Sequence, residues 1–88
     1  MNDMTFDELK EKALTLPYAP GVYIMRNKDD KVIYVGKAKK LKNRVSQYFQ
    51  NTANHTPKTR LMVSHIHHFD VIVAASEFEA LVLECSLI

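Results

Sequence analysis

Gly21-Val22-Tyr23-Ile24-Met25-Arg26-Asn27-Lys28-Asp29-Asp30-Lys31-Val32-Ile33-Tyr34-Val35-Gly36 is the stretch on which the fold turns. Gly21 to Arg26 and Lys31 to Val35 are rich in β-branched and aromatic residues, and Asn27 to Asp30 between them is a turn signal, so the segment reads as a β-hairpin. With the turn centred between Lys28 and Asp29, Tyr23 falls directly opposite Tyr34. Residues facing each other across an antiparallel pair share one sheet face, so the two phenols are expected side by side. A slip of one residue would part them.

Upstream, Thr5 to Leu16 carries apolar residues at Phe6, Leu9, Ala13, Leu14 and Leu16 with charges between, the spacing of a short helix, and Thr5 with Glu8 forms a capping box. Pro17 and Pro20 stop that helix and set an extended entry into Gly21. Downstream of Gly36 a helix is expected through Phe49, with Leu41, Val45, Tyr48 and Phe49 as its apolar stripe and Arg44 one turn before Tyr48. Asn51 to Thr56 reads as a polar loop. Thr56-Pro57 starts a further helix to about His67, burying Leu61, Met62 and Ile66. Phe69 to Ala75, apolar on both alternating faces except at Asp70, predicts a strand covered on both sides. Ser76 and Glu79 cap a last helix, nearly apolar all round and therefore expected to pack deeply. The fold class is α+β: a small, three-stranded, mostly antiparallel sheet, a hairpin plus a later strand, flanked by helices.

At 88 residues and 47% hydrophobic content, there is material for one core and one domain, taken as 1–88. Leu87 and Ile88 carry no helix-ending signal, which suggests a boundary inside or just after the last helix. A single cysteine, Cys85, closes no internal disulfide. No signal-peptide order is present and the apolar runs are too short to cross a bilayer, so a cytoplasmic location is expected. The net charge is only +2, but it is unevenly spread. From Lys31 to Phe69 there are eight basic residues (Lys31, Lys37, Lys39, Lys40, Lys42, Arg44, Lys58 and Arg60) and no carboxylate, while the ends hold all ten acids. Such a block suits a polyanion, or equally a solvated face with acidic neighbours folded back over it.

Glu84 stands inside the apolar last helix. A carboxylate there must be ion-paired, protonated or bound to a metal, because an unpaired buried charge is costly. His65, His67 and His68 lack a second ligand cluster for zinc and suit a helix C-terminus instead. With only two glycines in the chain, no nucleotide-binding loop is possible.

Gly21-Val22-Tyr23 and Tyr34-Val35-Gly36, joined by a short hairpin, resemble the paired tripeptides that define the GIY-YIG nuclease superfamily. The likeness continues through Leu16-Pro17-x-x-Pro20-Gly21-Val22-Tyr23, Ile33-Tyr34-Val35-Gly36-Lys37-Ala38, Leu41-x-x-Arg44-Val45-x-x-Tyr48-Phe49 and Glu79-Ala80-Leu81-x-Leu83-Glu84, in the order and spacing of UvrC-type N-terminal domains. It covers nearly the whole chain after the first helix. The resemblance implies a GIY-YIG fold and a metal-dependent DNA endonuclease making the 3′ incision in nucleotide excision repair. It also implies DNA as substrate and UvrB-like excinuclease subunits as partners of a longer protein.

The likeness further implies Tyr23 as the general base, acting directly or through a metal-bound water, and Glu84 as the ligand of one Mg²⁺ or Mn²⁺ ion. Tyr34, Lys37, Arg44 and Tyr48 would line the same site, with Gly21 and Gly36 structural beside it. Lys37, Lys39, Lys40, Lys42 and Arg44 would contact DNA. Where the family commonly has asparagine two residues after the metal glutamate, this chain has Ser86, and no role is assigned there. Two other readings are a catalytically silent nucleic-acid-binding module and the nuclease domain of another GIY-YIG repair protein. Tyr23 together with Glu84 speaks against a silent module.

Overall fold

The computed structural model describes residues 5–50 and 55–88. The first part of the expected polar loop, 51–54, lies outside the described residues. The elements follow the order α1 (Phe6–Leu14), β1 (Gly21–Arg26), β2 (Val32–Ala38), α2 (Leu41–Tyr48), α3 (Pro57–Ser64), β3 (His68–Val73) and α4 (Glu77–Leu87). The three strands form one antiparallel sheet in the order β2-β1-β3.

Local chemistry accounts for the boundaries. The Thr5 hydroxyl accepts from the Glu8 amide while Glu8 accepts from the Thr5 amide, a complete capping box. At α3 and α4 only the hydroxyl half of such a cap is made: Thr56 accepts from the Thr59 amide and Ser76 from the Glu79 amide, so the Ser76–Glu79 pair caps its helix from one side alone. The Leu41 and Lys42 amides, free of intrahelical partners, donate to the Ala19 and Pro17 carbonyls, which ties α2 to the loop before β1.

The hairpin differs from the expected one. Tyr23 lies opposite Gly36, and Tyr34 opposite Met25. Asn27 and Lys31 close a longer turn in which Asp30 adopts a left-handed φ of 62°, and just before that turn the register shifts in a bulge between Met25 and Arg26. The slip amounts to two residues, not one. Since side chains alternate with a period of two, the tyrosines remain on one face, now diagonal neighbours. The second strand also runs on to Ala38, so Lys37 belongs to β2 and the helix starts only at Leu41.

The core has two halves divided by the sheet. On one face Tyr23, Met25 and Ala38 meet Leu9 and Ala13 of α1, Leu41, Val45 and Phe49 of the α2 segment, and Ile66 and Phe69. Phe49 stacks on Phe69 with centroids 5.7 Å apart. On the other face Val22 and Ile24 meet Ala74 and Ala80, with Val35 and Leu83 partly buried beside them. Burial of both faces therefore belongs to β1, the central strand, whose first five residues are all buried.

Three expectations are corrected by this arrangement. β3 is an edge strand with Ile72 and Val73 exposed, because β1 and not β3 occupies the middle of the sheet. α4 buries only Ala80, since one short helix on a three-stranded sheet covers a single stripe, and Phe78, Leu81, Val82 and Leu87 remain exposed. Leu61 of α3 is exposed as well and the helix ends at Ser64, although Ile66 beyond it is buried as expected.

Candidate active site

β2 is one of the two edge strands of the sheet, and the tyrosines gather beside it. Tyr23 is 2% exposed, and its ring lies across Gly36, its partner on the neighbouring strand. A Cβ added at Gly36 would come within 2.4 Å of both Cζ and Oη of Tyr23. Glycine is thus required by close approach of the phenol. At Gly21 the same constraint comes from the Ile72 carbonyl oxygen, 2.4 Å from an added Cβ, and from the Leu41 side chain.

Helix α2 supplies the third phenol. Val45 and Phe49 anchor the helix in the core, which sets Tyr48 at its edge. Its Oη lies 2.9 Å from Oη of Tyr23. The ring of Tyr23 is 5.7 Å from that of Tyr48 and 6.0 Å from that of Tyr34, which is itself exposed to solvent. Burial pushes the Tyr23 phenol well above its ordinary value, reinforced by the hydrogen bond with Tyr48 and by the charges of Tyr48 and Tyr34, while the Arg44 guanidinium pulls part of the way back. Tyr48 is raised too, chiefly by burial.

Lys37 does not share this face. It stands opposite Val22, on the side of the sheet that packs against α4. The cation whose charge acts on the tyrosines is Arg44, one turn before Tyr48, while Lys37, expected to line the same site, lies on the other face of the sheet.

Glu84 lies one turn after Ala80 on α4, half-buried beside the second core half and on the same side of the sheet as Lys37. Among the described residues no ion pair involves it, so of the three alternatives for this carboxylate the ion pair is not formed. The described residues also contain no group of three or more His, Cys, Asp or Glu arranged to hold a metal. A single carboxylate with open coordination fits a hard cation that keeps most of its water, as magnesium does, and does not fit zinc.

The basic residues divide by place. Lys37, Lys39, Lys40 and Arg44 line a groove of about 670 Å³ between the end of β2, helix α2 and the first turn of α4. Lys42 turns away and rests its ammonium 4.8 Å from the centroid of Tyr18. Lys39 reaches Glu77 of α4 at 3.9 Å, both side chains well exposed. Asn43, Gln47, Glu77, Phe78 and Leu81 also line it and were not singled out as site residues by sequence pattern. His55 was also missed: its ring is 6.3 Å from that of Tyr48 and its Nε2 is 3.1 Å from the Gln47 carbonyl oxygen. It belongs to an irregular stretch without periodicity, and no spacing could have paired it with Tyr48. His65 is the C-cap of α3, as expected of a helix C-terminus, whereas His68 opens β3 and its ring meets Asp30 of the hairpin turn at 2.8 Å.

Gly36→Ala should lower stability by about 1–3 kcal/mol, the usual cost of overpacking a filled site. The Tyr23 ring, buried and hydrogen-bonded to Tyr48, has little room to give. Urea unfolding measures the change, and an unaltered midpoint would mean that the ring moves aside freely.

Comparison with known proteins agrees with this architecture. Residues 19–88 match the model of the UvrC-like GIY-YIG domain. The UvrABC system protein C of Alkaliphilus oremlandii is 62% identical over 81 residues, covering 92% of this chain and 13% of that protein. That of Clostridium tetani is 63% identical over 73 residues, covering 83% and 12%. The chain therefore spans about an eighth of the length of these relatives. Among solved structures, the GIY-YIG N-terminal endonuclease domain of UvrC from Thermotoga maritima, bound to its catalytic divalent cation magnesium, is 37% identical with a TM-score of 0.82, covering 96% of this chain and 89% of that one. A tyrosine-to-phenylalanine point mutant of the same domain, also bound to the catalytic divalent cation, gives 0.82 at 36% identity, with 96% and 88% covered. By its family match, its identity to these relatives and its fold, this chain belongs to the UvrC-like GIY-YIG domain family.

Proposed function

We propose that this domain hydrolyses a phosphodiester bond of DNA with one divalent cation held by Glu84, and that within a UvrABC system protein C chain it makes the 3′ incision of nucleotide excision repair in the cytoplasm, alongside a UvrB-like subunit. The observation that carries the reading is the hydrogen-bonded pair Tyr23–Tyr48 under the charge of Arg44, at the free edge of β2. Since β2 is an edge strand, groups on its two faces share the solvent around that edge, Tyr34 and Arg44 from one side and Lys37 and Glu84 from the other. The divalent cation bound to the solved relative supports the cofactor.

Burial keeps the Tyr23 phenol protonated at neutral pH, so a free phenolate is an unfavourable starting point. The contact with Tyr48 supplies a way around it. As the attacking water forms its bond to phosphorus, its proton passes to Oη of Tyr23, the Tyr23 proton passes to Oη of Tyr48, and the Tyr48 proton leaves to solvent. Both phenols end neutral, the bond from phosphorus to the leaving oxygen breaks, and that oxygen takes a proton from solvent to leave as a hydroxyl. Arg44 presents a guanidinium to the non-bridging oxygens, where charge accumulates. Lys37 is placed to hold the flanking phosphate. A bound divalent cation supplies further positive charge at the phosphate oxygens.

DNA as the ligand is tested through salt. Replacing Lys39 and Lys40 together by alanine should weaken binding and reduce the slope of log affinity against log salt by about 2, close to 0.9 for each phosphate no longer neutralised. Anisotropy titrations of a labelled duplex over a series of sodium chloride concentrations give that slope. An unchanged value would return this surface to solvent.

A further inference from the structure

Phe78 is the most exposed aromatic side chain of the described residues, with 74% of its surface open. It occupies the first turn of α4, two residues after the Ser76 cap, and makes no ring contact with another aromatic among them. The core of the domain does not need it there: α4 is anchored through Ala80 and Leu83. An exposed apolar residue alone means little. This one, however, lines the basic groove.

The groove has two unlike walls. Lys37, Lys40 and Arg44 present cations along the β2 end and α2, and Phe78 with Leu81 presents apolar surface on α4. The carboxylate of Glu77, the acid of the lining, is partly neutralised by Lys39. A polynucleotide strand has the same division, anionic along its backbone and flat and apolar at its bases. A positive track beside an exposed aromatic ring is the arrangement by which proteins hold unstacked bases, since every base has a face to stack and the backbone follows the charges. Duplex DNA with all its bases stacked would leave Phe78 idle.

We infer that Phe78 is a stacking platform for an unpaired base of the DNA strand in this groove, so that the domain favours DNA with a locally opened strand over a fully paired duplex. This rests on the nucleic-acid reading above and adds to it the state of the substrate. A peptide partner would use the apolar wall but would have no need for the run of cations facing it.

The chain contains no tryptophan, so Phe78→Trp creates a single fluorescent reporter at the proposed contact. The experiment titrates the 88-residue chain carrying Phe78→Trp with a single-stranded oligonucleotide and with the matching duplex, alongside anisotropy measurements on Phe78→Ala and the unaltered chain. Circular dichroism checks that both variants fold. Stacking should quench the tryptophan with the single strand and much less with the duplex. Phe78→Ala should weaken single-strand binding by about 5- to 150-fold, the usual range for one base-aromatic contact, with the salt slope unchanged. Salt-dependent binding that is unaffected by Phe78→Ala and leaves the tryptophan unquenched would overturn the platform and spare the nucleic-acid reading. Absence of salt-dependent binding to either DNA would overturn both.

Discussion

Tyr23→Phe should lower the rate of strand cleavage by about 10²- to 10⁴-fold, the span usually associated with a general acid or base, while DNA affinity and fold stay as they are. The structure makes this a clean substitution. The ring lies packed across Gly36 and keeps its place when only the hydroxyl is removed. One hydrogen bond, to Tyr48, disappears, and Tyr48 stands at the edge of the core where its own hydroxyl can turn to water. Such a change is worth about 1 kcal/mol of stability, small beside the expected effect on rate. The measurement is single-turnover incision of a lesion-bearing duplex at saturating magnesium. It uses a chimera in which these 88 residues replace the matched segment of a UvrABC system protein C, with the partner subunits supplied. Tyr34→Phe and Tyr48→Phe belong in the same series. If protons pass from Tyr23 to Tyr48, Tyr48→Phe should be nearly as damaging as Tyr23→Phe, because either change breaks the path. Tyr34 lies 6.0 Å from Tyr23, centroid to centroid, and outside that path, so its removal should be milder. Near-normal cutting by the Tyr23 variant would leave the residue as packing alone.

How much of this could be read from the residues themselves depends on which physical signal each part carries. Capping residues and hydrophobic periodicity are local, and they located α1, the end of α2 and the start of α4 closely, while the start of α2 was missed because β2 runs on to Ala38. The hairpin was equally legible, but its register was not: the bulge after Met25 and the left-handed Asp30 are decided by turn geometry that composition leaves open. The tyrosine cluster survived the error only because a two-residue slip preserves the face. Burial was the least legible property. The continuous apolar run of β3 and the apolar α4 both suggested deep packing, yet strand order decides which strand is covered twice, and that is a property of the whole chain. Lys37 illustrates the same point for the site. Its spacing from Tyr34 was right, but the extension of β2 to Ala38 placed it on the far face. His55 and Phe78 became visible only in three dimensions, one through Tyr48 and the other through the groove.

Glu84→Gln should reduce divalent-cation affinity by about 10²-fold or more and remove cleavage, with little change in stability. Outer-shell partners of metal ligands are already worth about 10- to 100-fold, and Glu84 is the carboxylate assigned here to direct contact with the cation. Glutamine keeps the volume and the helix and deletes the charge. Since Glu84 is half-buried and forms no ion pair among the described residues, nothing else is left without a partner, and the unfolding free energy should shift by no more than about 0.5 kcal/mol. If the carboxylate served the fold by pairing with a cation of the basic block, removing its charge would instead strand that cation and lower stability measurably. The two roles therefore separate in a single pair of measurements, calorimetric titration with manganese and urea unfolding of the same sample. Glu79→Gln is the matched control. It lies in the first turn of the same helix and is exposed, and its charge faces the positive end of the helix dipole. That substitution should cost about 0.3–1 kcal/mol of stability and leave manganese binding intact, the reverse of the pattern at Glu84. Equal manganese affinity in the unaltered chain and in Glu84→Gln would remove Glu84 from the metal site, and with it the arrangement in which the cation and the tyrosine pair meet around the free edge of β2.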